Sequence, residues 1–198
     1  MAGGMGTRML SNEEKPMLAV KNKPMVSYVL DALKNSECFD KIIGLVSKNT
    51  PRTAHFLANN NVQVVIGSGT DYVKDLNSAL ELVRPNKVFT ISSDLPLMNS
   101  NMVKKIVGAF DRCKKPCLTV VVSKALVDEL GVSTDYGVEI GGKIVCHCGV
   151  SIIDSSKISG YDSIDEELLI MDEPQLALNV NTIHELKLAE KMLTNPVF

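Results

Sequence analysis

Apolar residues in this chain fall into short runs that alternate between two spacings. Residues 17–20 (Met-Leu-Ala-Val) are a short apolar run, 21–23 a turn, and Pro24 suits a first helical position. Met25, Val26, Val29, Leu30 and Leu33 then recur at helical spacing. Residues 41–46 read as a buried parallel strand. Ser47 to Pro51 closes it and opens a helix, with Thr50 as N-cap. A strand over 62–66 is broken by Gly67-Ser-Gly69, and an amphipathic helix follows over 72–83. Residues 87–91 form a strand ending in Ser92-Ser93-Asp94-Leu95-Pro96. Ser100 then caps a helix to about Cys113, and 117–122 is the next strand. Strand and helix in alternation imply a parallel sheet with helices on both faces and right-handed crossovers.

The spacing changes in the last third. Residues 136–140 and 143–145 flank Gly141-Gly142 as a β-hairpin, and 149–153 read as a further strand. Residues 166–170 suit either helix or strand, and 177–180 suit a short strand. Thr182 and Glu185 form a capping box for a final helix carrying Ile183, Leu186, Leu188, Ala189, Met192 and Leu193. No internal repeat or low-complexity linker interrupts the chain. The expectation is one α/β domain over 1–198: a three-layer, Rossmann-like, mostly parallel sheet with an antiparallel hairpin excursion.

Composition narrows the class. The chain has 198 residues, 45% of them hydrophobic, enough for one core, and 22% charged, which argues against disorder. A net charge of −2 offers no basic field for nucleic acid or an anionic membrane. No apolar run approaches membrane-spanning length and no secretory signal is present, so a cytoplasmic protein is expected. Five cysteines suit free thiols. In Cys146-His147-Cys148 the two cysteines share one face of a strand and lack a second pair at zinc spacing. The sequence is open to a homodimer.

Chemistry concentrates at the amino end. Gly3, Gly4 and Gly6 permit φ > 0 and close approach to the main chain, so successive amides can form an anion nest. Thr7 and Ser11 add hydroxyls, and Arg8 and Lys15 add positive charge. These parts suit a polyphosphate. No Gly-Lys-Ser/Thr follows, so the loop is not a Walker A, and position 9 is Met where a dinucleotide fingerprint needs glycine. Such a loop belongs at the carboxyl end of a strand, yet only Met1 and Ala2 precede Gly3. A short apolar run upstream of Met1 is therefore expected in the natural protein.

Asp94 ends an apolar strand at the sheet edge where α/β proteins bind ligands, and its hard oxygens suit Mg²⁺ bridging phosphates. Asn49 can read a base edge or cap the next helix. Asp71 and Asp75 can select guanine through its N–H donors, or sit in a first helical turn where acids are favoured anyway. Asn179 and Asn181 share one face at alternate positions. They can orient a phosphate or serve turn chemistry.

The run Ala2-Gly-Gly-x-Gly-Thr-Arg-Met9 with Glu14-Lys15-Pro16 resembles the signature of nucleotidyltransferases. Further pieces are Ser47-x-Asn-Thr-Pro-x-Thr53, Asp75-Leu-Asn77, Ser92-Ser-Asp-Leu95, the strand at Gly149, Asp172-Glu173, and Asn179-x-Asn-Thr182 with Leu186-Lys-Leu-Ala-Glu190. Together they resemble the guanylyltransferases of corrinoid assembly, within a family that includes the molybdenum-cofactor guanylyltransferases. The resemblance implies transfer of GMP from GTP to adenosylcobinamide phosphate with release of pyrophosphate. It implies Arg8, Lys15 and Asp94 at the reacting phosphates, Mg²⁺ on Asp94, and Gly149 near the nucleotide. Molybdopterin or another phosphate as acceptor is the enzymatic alternative, and a GTP-sensing module the non-enzymatic one. One departure is Met5, where the family usually has a basic residue; losing a charge-assisted hydrogen bond there costs about 1.5–3 kcal/mol of phosphate binding.

Overall fold

The apolar runs assemble around one twisted, mixed sheet. We describe a computed structural model that covers residues 1–3, 13–134, 137–158 and 164–195. A small antiparallel pair, β1 (Ala19–Val20) and β2 (Lys23–Pro24), leads into α1 (Met25–Ser36). Then come β3 (Ile43–Ser47), α2 (Pro51–Asn59), β4 (Gln63–Gly67), α3 (Tyr72–Leu82) and β5 (Lys87–Ile91). The second half holds α4 (Ser100–Phe110), β6 (Cys117–Ser123), α5 (Lys124–Leu130), β7 (Gly137–Ile140), β8 (Lys143–Asp154), β9 (Glu166–Ile170), α6 (Pro174–Ala177) and α7 (Ile183–Thr194).

β3 and β4 pair in parallel. On the other side of β3, Ala2 N–H donates to Leu45 O (2.8 Å). Met1 N donates to Ile91 O (2.7 Å) while Met1 O accepts from Ser93 N–H (3.0 Å), the slanted pattern of a parallel ladder. Residues 1–3 thus join β3 to β5. Beyond β5 the order is β8, β6, β9. β8 is antiparallel to both β5 and β6, and β9 is parallel to β6. The hairpin is therefore more than an excursion: β7 pairs only along one end of β8, and the rest of β8 fills the space between two parallel strands.

Apolar side chains alternate across this sheet. Phe89 and Ile152 pack on one face with α1 and α4, while Val88 and Ile153 pack on the other with Leu76 and Leu80 of α3. Val26, Leu30 and Leu57 bring α1 and α2 together over Val46 and Ala2. Cys146 and Cys148 are both buried as apolar strand residues.

Two local expectations are corrected and one left open is resolved. The strands read at 143–145 and 149–153 are one strand, bent at Gly149 (φ +79°), where the register against β6 shifts. The ambiguous 166–170 segment is a strand, because β6 offers it a free parallel edge. The short strand read at 177–180 is not formed; Pro174 starts the α6 turn instead, and Leu176, Leu178 and Val180 are buried from it. Caps also differ. Asn99, not Ser100, caps α4 by accepting from Met102 N–H (3.0 Å). Thr50 makes no side-chain cap on α2.

Candidate nucleotide site

The carboxyl ends of β3, β4 and β5, together with residues 1–3, meet at one edge of the sheet. Asp94 lies three residues past β5. Its main-chain carbonyl accepts from Val180 N–H (2.9 Å), which brings the segment before α7 across the same edge. Its carboxylate accepts from Lys15 Nζ (2.6 Å) and from Asn179 Nδ2 (2.8 Å). Lys15 Nζ also donates to Asn181 Oδ1 (2.7 Å). Asn179 Nδ2 reaches Cys148 O at 3.3 Å. Three segments far apart in sequence thus meet at one carboxylate, with Cys148 O behind Asn179.

Burial opposes charge on Asp94, but the Lys15 ammonium, assisted by Ser92 and Asn179, holds its carboxyl below the usual range. The Lys15–Asp94 pair is about 15% exposed, so solvent screens it weakly.

Glu14, beside Lys15, reaches α2. Its carboxylate accepts from Arg52 N–H (2.7 Å), Thr53 N–H (2.7 Å) and the Thr53 hydroxyl (2.6 Å). The helix start that was expected to use Thr50 is capped from across the site by an acid, as the helix dipole favours. These first-turn amides are therefore not taken by Asn49. Asn49 is exposed, its Nδ2 3.6 Å from where a Cβ on Gly69 would stand.

Gly3 sits against Ser47, whose hydroxyl donates to Gly3 O (3.1 Å). The 67–71 turn packs on the same residue. A Cβ on Gly69, already at φ +74°, would come within 2.7 Å of Ser47 Cβ. Asp75 holds this turn by accepting from Ser68 N–H (2.7 Å) and Gly69 N–H (2.8 Å), and these two amides lower its pKa. Asp71 caps α3 through Val73 and Lys74 N–H. Both acids serve the backbone here.

Gly149 lies beside the cluster. A Cβ there would stand 3.1 Å from Ser92 Cβ, and φ +79° already disfavours a side chain. Glu185 anchors the asparagine segment from below. Its buried carboxylate accepts from Asn181 N–H (2.7 Å), Thr182 N–H (2.8 Å) and both the amide and hydroxyl of Ser133.

The structure therefore brings together Lys15, Asp94, Asn179, Asn181 and Gly149, with Gly3, Asn49 and Asp75 along the adjoining edge. Gly4, Gly6, Thr7 and Arg8, with Met5 and Ser11, lie outside the described residues. Sequence reasoning missed Ser47 and the reach of Glu14. The Glu-Lys-Pro run was the available signal for Glu14, because an acid two residues before a proline turn can face a different partner from the lysine between them.

Residues 1–136 match the MobA-like NTP transferase domain. The chain belongs to this nucleotidyltransferase family. It is 30% identical over 198 residues to the adenosylcobinamide-phosphate guanylyltransferase of Methanocaldococcus jannaschii, covering 98% of this chain and 95% of that protein. It is 26% identical over 118 residues to the probable molybdenum cofactor guanylyltransferase of Thermococcus kodakarensis, covering 59% of this chain and 54% of that one. Among solved structures, a CMP:2-keto-3-deoxy-manno-octonic acid synthetase complexed with CTP superposes with a TM-score of 0.72 at 12% identity. It covers 98% of this chain and 97% of that one, and supports the nucleotide-transferase fold.

Proposed function

We propose that this protein transfers GMP from GTP to adenosylcobinamide phosphate and releases pyrophosphate. The observation that carries this reading is the cluster of Lys15, Asp94, Asn179 and Asn181 at the strand ends beside Gly3. The near full-length kinship to the M. jannaschii guanylyltransferase supports the choice of base and acceptor.

An acceptor phosphate oxygen attacks the α-phosphorus of GTP, and the bond to the β-phosphate oxygen breaks. The acceptor needs no general base, because a phosphate monoester with a second pKa of about 6 is largely ionised at neutral pH. The protein's work is positioning and charge neutralisation. In this reading Lys15 holds a phosphate oxygen. Asn179 and Asn181 keep Lys15 and Asp94 aligned through their amides. Asn49, exposed beside Gly69, is the side chain we assign to the base.

Among the described residues no three His, Cys, Asp or Glu side chains gather as a metal cage. Mg²⁺ does not require one; one carboxylate with substrate phosphates and water is a usual set for it. Asp94 fits that role. The ion, when bound, would neutralise charge on the departing pyrophosphate.

The test mixes protein, Mg²⁺ and each NTP in turn with adenosylcobinamide phosphate or molybdopterin, and reads the nucleotidylated product by mass. GTP with adenosylcobinamide phosphate gives the product under this proposal. Product only with another pairing overturns it, as does GTP binding without pyrophosphate release.

A further inference from the structure

The turn between β4 and α3 directs three successive amides inward. Ser68 N–H donates to one oxygen of Asp75 (2.7 Å) and Gly69 N–H to the other (2.8 Å). Thr70 N–H donates to the Ser68 hydroxyl (3.2 Å), which also bonds the Thr70 hydroxyl (2.9 Å). The acid fits under the turn because position 67 is glycine: a Cβ there would stand 2.6 Å from the Asp75 carboxyl carbon.

A trans peptide sets its carbonyl opposite the N–H that follows, and these peptides are trans. Since the amides of Ser68 and Gly69 point at Asp75, the carbonyls of Gly67 and Ser68 point away from it. By the same geometry the Gly69 carbonyl points away from the Ser68 hydroxyl. Among the described residues the Ser68 and Gly69 carbonyls accept no hydrogen bond, whereas all three inward amides are spent. The turn borders the nucleotide edge: a Cβ on Gly69 would lie 2.7 Å from Ser47 Cβ and 3.6 Å from Asn49 Nδ2. Beside Asn49 its main chain therefore offers acceptors and withholds donors.

Such a surface discriminates among bases. Guanine presents two adjacent donors, N1–H and its 2-amino group. Adenine and cytosine carry a ring lone pair where guanine has N1–H, and that lone pair would face a carbonyl. Hypoxanthine keeps N1–H but lacks the 2-amino donor.

We propose that the main-chain carbonyls of the 67–69 turn select guanine by accepting from N1–H and the 2-amino group, and that Asp75 is the positioning residue that keeps them facing outward. The inference rests on the guanylyl-transfer reading for the nucleotide itself and adds the cause of the base choice. Both Asp75 oxygens are occupied by the turn, so the acid acts on the base through the backbone and not by touching it.

The experiment measures equilibrium binding of GTP, ITP and ATP with Mg²⁺ and no acceptor. It uses the full chain, Asp75→Asn and Asp71→Asn. The unaltered chain should bind GTP about 5–10 times more tightly than ITP, the effect of one hydrogen bond to a neutral acceptor, and ATP more weakly still. Asp75→Asn replaces one acceptor oxygen by an NH₂ that cannot accept an amide, which frees the turn to invert. The GTP/ITP ratio should then fall to about 1–2, chiefly through lost GTP affinity. Asp71→Asn loosens the α3 cap and should keep the ratio. Equal binding of GTP and ITP by the unaltered chain overturns the proposal without any variant. A parallel fall of both affinities in Asp75→Asn, at an unchanged ratio, overturns it too, because a merely structural acid would do that. A ratio lost in Asp71→Asn but kept in Asp75→Asn moves base reading to the Asp71 carboxylate and overturns it as well. The two readings fail separately. Guanylyl transfer by a chain that binds GTP and ITP alike ends this inference alone, and a sound ratio without transfer ends only the proposed reaction.

Discussion

Replacing Asp94 by Asn and Lys15 by Met, singly and together, measures the contact on which the proposed site turns. The two charges lie 2.6 Å apart and about 15% exposed. At an effective dielectric constant of 20 they attract by roughly 6 kcal/mol, but removing both from water cancels much of that. What remains should be close to a charge-assisted hydrogen bond, about 1.5–3 kcal/mol. Asp94→Asn also leaves the Lys15 ammonium without its counter-charge and sets an amide donor against Asn179 Nδ2. The single change should therefore cost about 3 kcal/mol, or roughly 6–12 °C in Tm for a chain of this size. Urea or thermal unfolding of all four proteins gives the coupling energy, expected near 2 kcal/mol. The coupling has a pH signature. Asp94 has a lowered pKa when folded, so its contribution is whole above the ordinary Asp value of 3.8 and fades as pH falls through the lower folded value. A coupling below about 0.5 kcal/mol at pH 7 would refute the reasoning. Asp94→Asn should also lower turnover by about 10²–10³ if Asp94 sits at the reacting phosphates; full turnover would remove it from that role.

Gly149→Ala should destabilise by about 1–2 kcal/mol, measured by unfolding, because φ +79° is strained for Ala and the new Cβ meets Ser92. Glu14→Gln should cost about 1–2 kcal/mol, since α2 loses an acid at its N-terminus, and Glu14→Ala should cost more. Protein that keeps Met1 as a free amine should lose stability as pH falls from 8 towards 6. The buried amine titrates at about 6 against 8.0 when unfolded, so roughly 2–3 kcal/mol is at stake over that window. A pH series of melts reads this limb, and equal stability at pH 8 and pH 6 would remove the buried amine from the account.

Much of the fold was legible because period-two and helical spacings survive in short runs. The strands at 43–47, 63–67, 87–91 and 117–123 all follow apolar stretches flanked by turn residues. The place of β8 was not legible. Its residues alternate as any half-buried strand does, and no local pattern says that it enters antiparallel between β5 and β6. The 177–180 segment misled for a related reason. Leu176, Leu178 and Val180 alternate as in a strand, but Pro174 and the bond from Val180 N–H to Asp94 O place them as a turn over the core. Of the site, Lys15, Asp94, Asn179 and Asn181 were readable as polar residues at element ends. Their mutual contacts were not, since those span up to 166 positions.

The Glu14-Lys15-Pro16 run shows what ties the two halves of the edge together. Glu14 closes the amino end of α2, Lys15 crosses to Asp94 and Asn181, and Pro16 is buried. Three consecutive residues therefore fix three directions. The glycine-rich segment leaves from Gly3, held by Ser47, and returns at Glu13, beside Glu14. Gly3 is held at the end of β3 by Ser47, while the other end is held by α2 through Glu14 and by Asp94, three residues past β5, through Lys15, so a shift of β3 relative to β5 would be felt at both.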